Sequence, residues 1–162
     1  MKNLNIFIKK LKIILVAVVM ISISTTVIAN SIEEFVEFSP KGYVDINRVV
    51  MRNGNVLETP VPEEGVHLQI SFKKNRGIYE VHVIYFESVF TLMNFWYNFV
   101  GHYSDNFVGV FSAVPFIYGE FNTEYSKLQV SAWFTGYNNT FFAVYGPKKS
   151  VVNDLKLKLN KK

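Results

Sequence analysis

Between His67 and Phe86 the chain alternates apolar and polar residues on both sides of one short break. Leu68, Ile70 and Phe72 share a side of the first run, and Tyr79, Val81, Val83 and Tyr85 share a side of the second. Asn75-Arg76-Gly77, between them, is turn material. A period of two puts successive side chains on opposite faces of a strand, so the segment is expected to form an antiparallel hairpin. Pairing Lys73 with Ile78 sets Phe72 beside Tyr79, Ile70 beside Val81 and Leu68 beside Val83. A slip of one residue would turn one strand's apolar set to the wrong face, so this register is a firm expectation. Whatever the chain folds into must contain this hairpin and a layer that covers its apolar face.

That layer begins immediately afterwards, where the period changes. Val89, Leu92, Met93, Trp96, Val100 and Tyr103 recur at helical spacing. Ser88 is placed to cap a helix over Ser88–Val100, and Gly101 to end it. Phe90 and Tyr97 flank one edge of the apolar stripe and Phe95 and Phe99 the other, a wider arc than one sheet contact requires.

The remaining segments are mostly extended. Tyr43–Arg52 is rich in valine and isoleucine, and Asn53-Gly54 offers a two-residue hairpin turn that pairs Arg52 with Asn55 and Met51 with Val56. Pro60 and Pro62 cut off the return strand, and Pro60–Gly65 is the clearest linker. After the helix come Asn106–Val114, Phe116–Phe121, Tyr125–Phe134 and Thr140–Tyr145. Turning at Thr135–Asn139 pairs Ala132 with Phe142 and Val130 with Val144. Ser150–Leu159 is expected to close the chain as a helix on Val151, Val152, Leu155 and Leu159, with Ser150 as cap. A strand through Leu155, Leu157 and Leu159 is the alternative. The expected fold class is α+β: a single antiparallel sheet with a central amphipathic helix and a C-terminal helix. The core order of two strands, helix, three strands and helix resembles the profilin-like or longin-like arrangement.

Residues 1–29 stand apart. Lys2, Lys9, Lys10 and Lys12 precede Ile13–Ile21, an unbroken apolar run, and small and hydroxyl residues lead to Val27-Ile28-Ala29. This is the pattern of a signal peptide cleaved after Ala29. The alternative is an uncleaved N-terminal membrane anchor, since Ile13–Ala29 approaches the length of a membrane helix. Either way residues 30–162 are expected outside the cytoplasm as one small domain with a basic tail. They would be periplasmic or extracellular, or held at the inner membrane by the anchor. The chain's net charge of +4 disappears with the leader, because residues 30–162 hold 13 basic and 13 acidic residues. Within them the tail from Lys148 onward is basic and the body acidic. A nucleic-acid partner is therefore not expected. With no cysteine in the chain, thiol catalysis, lipidated cysteine and disulfides are excluded.

Motifs for chemistry are sparse. There is no Gly-x-Ser-x-Gly elbow and no glycine-rich loop leading into a helix. No cofactor is expected. His67, His82 and Glu80 fall on one face of the central hairpin and could supply a surface metal site of two histidines and a carboxylate, with a solvated polar face as the alternative. The aromatics are the least ordinary feature: Phe95, Tyr97 and Phe99 on the helix, and Trp133 on its strand, could form an aromatic binding surface. They could equally belong to a core on both faces of the sheet. The reading favoured by the sequence is an exported, non-enzymatic binding or accessory protein acting on a protein or envelope component. A membrane-anchored part of an envelope assembly and a small exported metal protein or enzyme are the alternatives. Contact with a membrane would come only through an uncleaved N-terminus or the basic tail.

Overall fold

The computed structural model describes residues 32–104 and 112–162. The expected signal segment, its cleavage point at Ala29 and most of the strand expected over Asn106–Val114 lie outside these residues. The strands are β1 (Val44–Met51), β2 (Asn55–Val56), β3 (Thr59–Pro60), β4 (Gly65–Lys74), β5 (Gly77–Phe86), β6 (Ser112–Val114), β7 (Tyr118–Tyr125), β8 (Leu128–Thr135) and β9 (Thr140–Gly146). The helices are α1 (Val89–Tyr103) and α2 (Lys149–Leu159), preceded by a helical turn at residues 32–36. Seven strands form one sheet in the order β1-β4-β5-β9-β8-β7-β6, antiparallel throughout, and β2 and β3 pair separately. The fold is α+β, as its element order implied.

The β4–β5 hairpin has the expected register, with Phe72 opposite Tyr79, Ile70 opposite Val81 and Leu68 opposite Val83. Its turn is tighter than expected, because Lys74 pairs with Gly77 and Asn75 takes φ 56°. The apolar side is covered by α2 through Val151, Val152, Leu155 and Leu159, and by Ile32, Phe35 and Phe38 from the lead-in. The other side of the sheet is covered by α1, which buries Leu92, Met93, Phe95, Trp96, Phe99 and Tyr103. The sheet is thus apolar on both faces, with a helix on each. Gly119 shows how closely α1 packs. A Cβ there would lie 2.3 Å from the Phe134 ring and 3.0 Å from the Trp96 ring.

Ser88 caps α1 as expected, with its Oγ accepting from the Phe90 N–H at 3.1 Å. Ser88→Ala should therefore cost about 1 kcal/mol, measured as a lower urea midpoint at unchanged slope. Gly101 does not end the helix, which runs on to Tyr103. The reason is that Tyr103 has a buried berth in the same core, so packing carries the last turn past the glycine. α2 starts at Lys149 with Lys148 at its N-cap, so Ser150 lies inside it and does not cap it.

Two strand pairings differ from expectation. β1 does not fold back through Asn53-Gly54 onto Asn55–Leu57; it pairs with β4, Val44 opposite Lys73 and Met51 opposite His67. An eight-residue strand gains more ladder from a ten-residue neighbour than from the short return segment. Asn55–Val56 then pairs with Thr59–Pro60 as a small hairpin, with Leu57 at φ 53° in its turn. β8 and β9 pair one residue away from expectation, with Ala132 opposite Ala143 and Val130 opposite Tyr145.

Candidate functional site

The segment between β1 and β4 is the irregular part of the fold, and the polar chemistry gathers beneath and beside it. After Met51 the chain turns at Gly54, whose φ of 127° is open to few residues other than glycine. It then makes the β2–β3 hairpin and returns, the Val61 N–H donating to the Gly54 carbonyl at 2.8 Å. This flap, residues 52–61, lies on the α1 side of the sheet, where Val56 and Val61 join the core. A Cβ on Gly54 would come within 3.2 Å of His67 Nδ1 and 2.6 Å of Met51 Sδ, so the glycine is needed for close approach as well as for its φ.

His67 and His82 lie under the flap, and both are fully buried. The solvated polar face weighed from the sequence is therefore not what forms, because the flap closes over it. His67 Nε2 is 2.8 Å from His82 Nδ1, and His82 Nε2 is 3.0 Å from the Tyr145 hydroxyl. The three rings stack in sequence, with centroids 5.0 and 5.2 Å apart. One proton arrangement satisfies the chain. Tyr145 accepts from the Leu57 backbone N–H and donates to His82 Nε2; His82 Nδ1–H donates to His67 Nε2. The His67 Nδ1 proton then faces the backbone of Asn53, without a well-formed hydrogen bond. Burial pushes His67 down to about 4, with the Asn53 backbone acting in the opposite sense. Burial, and then the neighbouring His67, push His82 well below its ordinary value. At neutral pH both rings are uncharged.

Glu80, the third member of the expected metal set, does not join them. It accepts from Ser71 Oγ at 2.9 Å and from Gln69 Nε2 at 3.2 Å. Among the described residues no three His, Asp or Glu side chains gather closely enough to hold a metal ion. Ser71-Phe72-Lys73-Lys74 also fits a Ser-x-x-Lys spacing, but the strand separates its ends. Ser71 is spent on Glu80, while Lys74 Nζ reaches Asp154 on α2 at 3.3 Å, across the sheet.

The outer side of the flap forms an open groove with α1, a cavity of ≈ 550 Å³. Glu58, Thr59 and Pro60 form one wall, and Tyr97, Asn98, Gly101 and His102 the other. Tyrosines pin the flap at this edge. The Tyr103 hydroxyl accepts from the Glu58 backbone N–H at 2.7 Å, and Tyr125 donates to Glu58 Oε1 at 2.8 Å. His102 Nε2 lies 3.3 Å from Glu58 Oε2. The hydrogen bond from Tyr125, and then the one from His102, hold the Glu58 carboxyl below its ordinary range.

No family model matches the chain, and no curated protein matches it. A solved structure does: that of a GTP binding regulator from Thermotoga maritima, 17% identical, with a TM-score of 0.56 over 78% of this chain and 82% of that one. At that identity the likeness is one of fold.

The four aromatics proposed as a binding surface separate. Phe95 and Phe99 are buried under α1, Phe99 with ring centroids 4.9 Å from Tyr103 and 5.2 Å from Phe141. Trp133 is buried on the opposite face of the sheet, stacked on Phe142 at 5.1 Å and 8°. Tyr97 alone faces outward, 54% exposed, and it lines the groove. The tail's Lys156 and Lys158 are tied down, to Glu120 at 2.5 Å and to Asp154 at 2.6 Å. Partial burial pushes the Glu120 carboxyl up, but bonds from Lys156, Tyr118 and Asn122 outweigh it and hold the group at about 2. Sequence reasoning missed Tyr145, the third ring of the chain, and Glu58, the acid of the groove. Neither carries a motif: Tyr145 meets His82 through the β5–β9 pairing, and Glu58 meets Tyr125 and His102 through the position of the flap.

Proposed function

We propose that this protein is an exported, non-enzymatic binding or accessory module that engages a protein or envelope component through the groove between the flap and α1. The observation that carries this reading is Tyr97. It is a half-exposed ring set among Glu58, Asn98 and His102, while the aromatics on either side of it along α1 turn inward. An aromatic face with a few convergent polar groups is the usual makeup of a recognition site. The buried His67–His82–Tyr145 chain fits the role of a support for one wall of that site, since both imidazoles are neutral and enclosed. GTP binding is a property of the structural neighbour; this chain has no glycine-rich loop leading into a helix to cradle phosphates.

The test is affinity capture from envelope extracts with the wild-type protein and with Tyr97→Ala/Glu58→Gln. Both positions are solvent-facing, so the variant should fold. The wild type should retain a component that the variant loses at least tenfold. Equal recovery by both, or recovery of nothing by either, would sink the reading. Sequencing the N-terminus of the same material tests the export arrangement. A start at Asn30 supports a released protein, and an intact Met1 supports the anchored alternative, in which Ile13–Ala29 holds the same groove at the membrane surface.

A further inference from the structure

The sheet ends on one side at β1, an edge strand of eight residues. Short edge strands, lysines, prolines and bulges are the usual ways of keeping an edge from pairing with another chain. β1 has no lysine and no proline, and its single irregularity lies between Asp45 and Asn47, where Ile46 is the extra residue. The stretch from Asn47 to Met51 is regular. The strand carries apolar residues into solvent: Val44 is 63% exposed, Ile46 51%, Val49 38% and Val50 51%. Val49 stands opposite Gln69 on the flap side of the sheet, and Val50 opposite Leu68 on the α2 side, so both faces of the edge are apolar.

We propose that β1 pairs antiparallel with β1 of a second copy of this chain, joining two sheets edge to edge about a two-fold axis at Val49. The argument for a second copy lies in the strand's own sequence. An isologous contact requires that residue i meet j while j meets i. With the axis at Val49, that valine meets its own copy, Arg48 meets Val50, and Asn47 meets Met51. The central pair is β-branched against β-branched, a favourable cross-strand combination. No two like charges stand directly opposite. Arg48, the one charged residue of the regular stretch, is already neutralised within its own strand by Asp45 and also donates to the Phe38 carbonyl at 3.1 Å. The strand can thus meet its own copy with a valine pair at the centre and no like charges opposed. The surface is separate from the groove at α1, and either proposal can fail without the other.

The experiment uses the full chain as its host processes it. Light scattering and sedimentation velocity should give twice the mass of one chain, falling to one chain on dilution. Val49→Lys, which sets two like charges face to face at the axis, should shift the protein to the mass of one chain while leaving its circular dichroism and thermal midpoint nearly unchanged. Because the chain has no cysteine, Val49→Cys gives a second readout. Mild oxidation should cross-link it into a covalent pair, whereas Val44→Cys, away from the axis, should not cross-link. A single-chain mass at every concentration overturns the proposal, as does a dimer that Val49→Lys leaves intact. A mixed assembly, in which β1 takes an extended segment of another protein, would appear as single-chain mass in the purified sample and would equally overturn it.

Discussion

Replacing Phe99 or Trp133 with alanine should each cost about 3–5 kcal/mol of folding stability, whereas Tyr97→Ala should change it by less than about 0.5 kcal/mol. Phe99 sits in the middle of the α1 core. Its ring is fully buried and meets Phe95, Tyr103, Phe121 and Phe141. Truncation removes those contacts and leaves a void that the rigid sheet beneath cannot fill. Trp133 fills the same role on the other face, between Phe142 and the α2 side chains, with the Lys156 ammonium 5.3 Å from its ring centroid. Losses of this size are a large share of the about 5–15 kcal/mol that holds a typical domain together. Urea unfolding of the three single variants decides the point. If Phe99→Ala and Trp133→Ala are as mild as Tyr97→Ala, the two rings are not core.

The contrast among these aromatics shows what a sequence of this kind discloses. Helical spacing placed Phe95, Tyr97 and Phe99 on the two edges of one apolar stripe, but it carried no information on which edge the sheet would take. The sheet took the Phe95–Phe99 edge, leaving Phe90 and Tyr97 in solvent. The same limit explains the strand registers. β4 and β5 were legible because one face is apolar and the other carries His67, Gln69, Ser71, Glu80 and His82, so only one register keeps the apolar set together. β8 and β9 are apolar on both faces, and a slip of one residue changes little in their pattern. There the turn decides, through a four-residue loop from Gly136 to Asn139 that pairs Thr135 with Thr140. The β7–β8 turn was missed for a related reason. Ser126 and Lys127 both take positive φ, 49° and 67°, in positions where asparagine and glycine are the usual signals. The closeness of His67 and His82 on one face was legible from the hairpin register, but their burial and the groove were not. Both of these come from the flap, whose position depends on β1 choosing β4 over its own return segment, a choice between distant pairings that no local pattern encodes.

Lowering the pH from about 6.5 to about 4 should remove about 3 kcal/mol of stability through His67, and His82 adds a loss of the same sign. His67 is held at about 4 in the folded chain by burial, and His82 is pushed well below its ordinary value by burial and by His67. Unfolded, each would protonate near the ordinary histidine value of about 6.5. Between those two limits the unfolded chain binds protons that the folded chain refuses, so stability rises with pH across this window and falls on acidification. The carboxylates act in a different range. Glu120 and Asp154 are held at about 2 by their partners, chiefly Lys156 and Tyr118 for the first and Lys158 and Tyr43 for the second. Their contribution is present above the ordinary carboxylate range and is lost only as pH falls through about 4 toward 2. The two losses are therefore separable by pH. Urea midpoints measured across the range should fall steeply between pH 6.5 and 4 in the wild type, and His67→Gln/His82→Gln should flatten that slope while leaving the lower one. The flap should be the first element to give way, because a proton on His67 sets a charge beneath Gly54, while Glu80 is committed to Ser71 and Gln69. Amide exchange at Gly54 and Leu57 that accelerates at pH 5 ahead of exchange in β5 and β9 would show it. Uniform acceleration across the sheet would mean that the histidines destabilise the whole fold and not the flap.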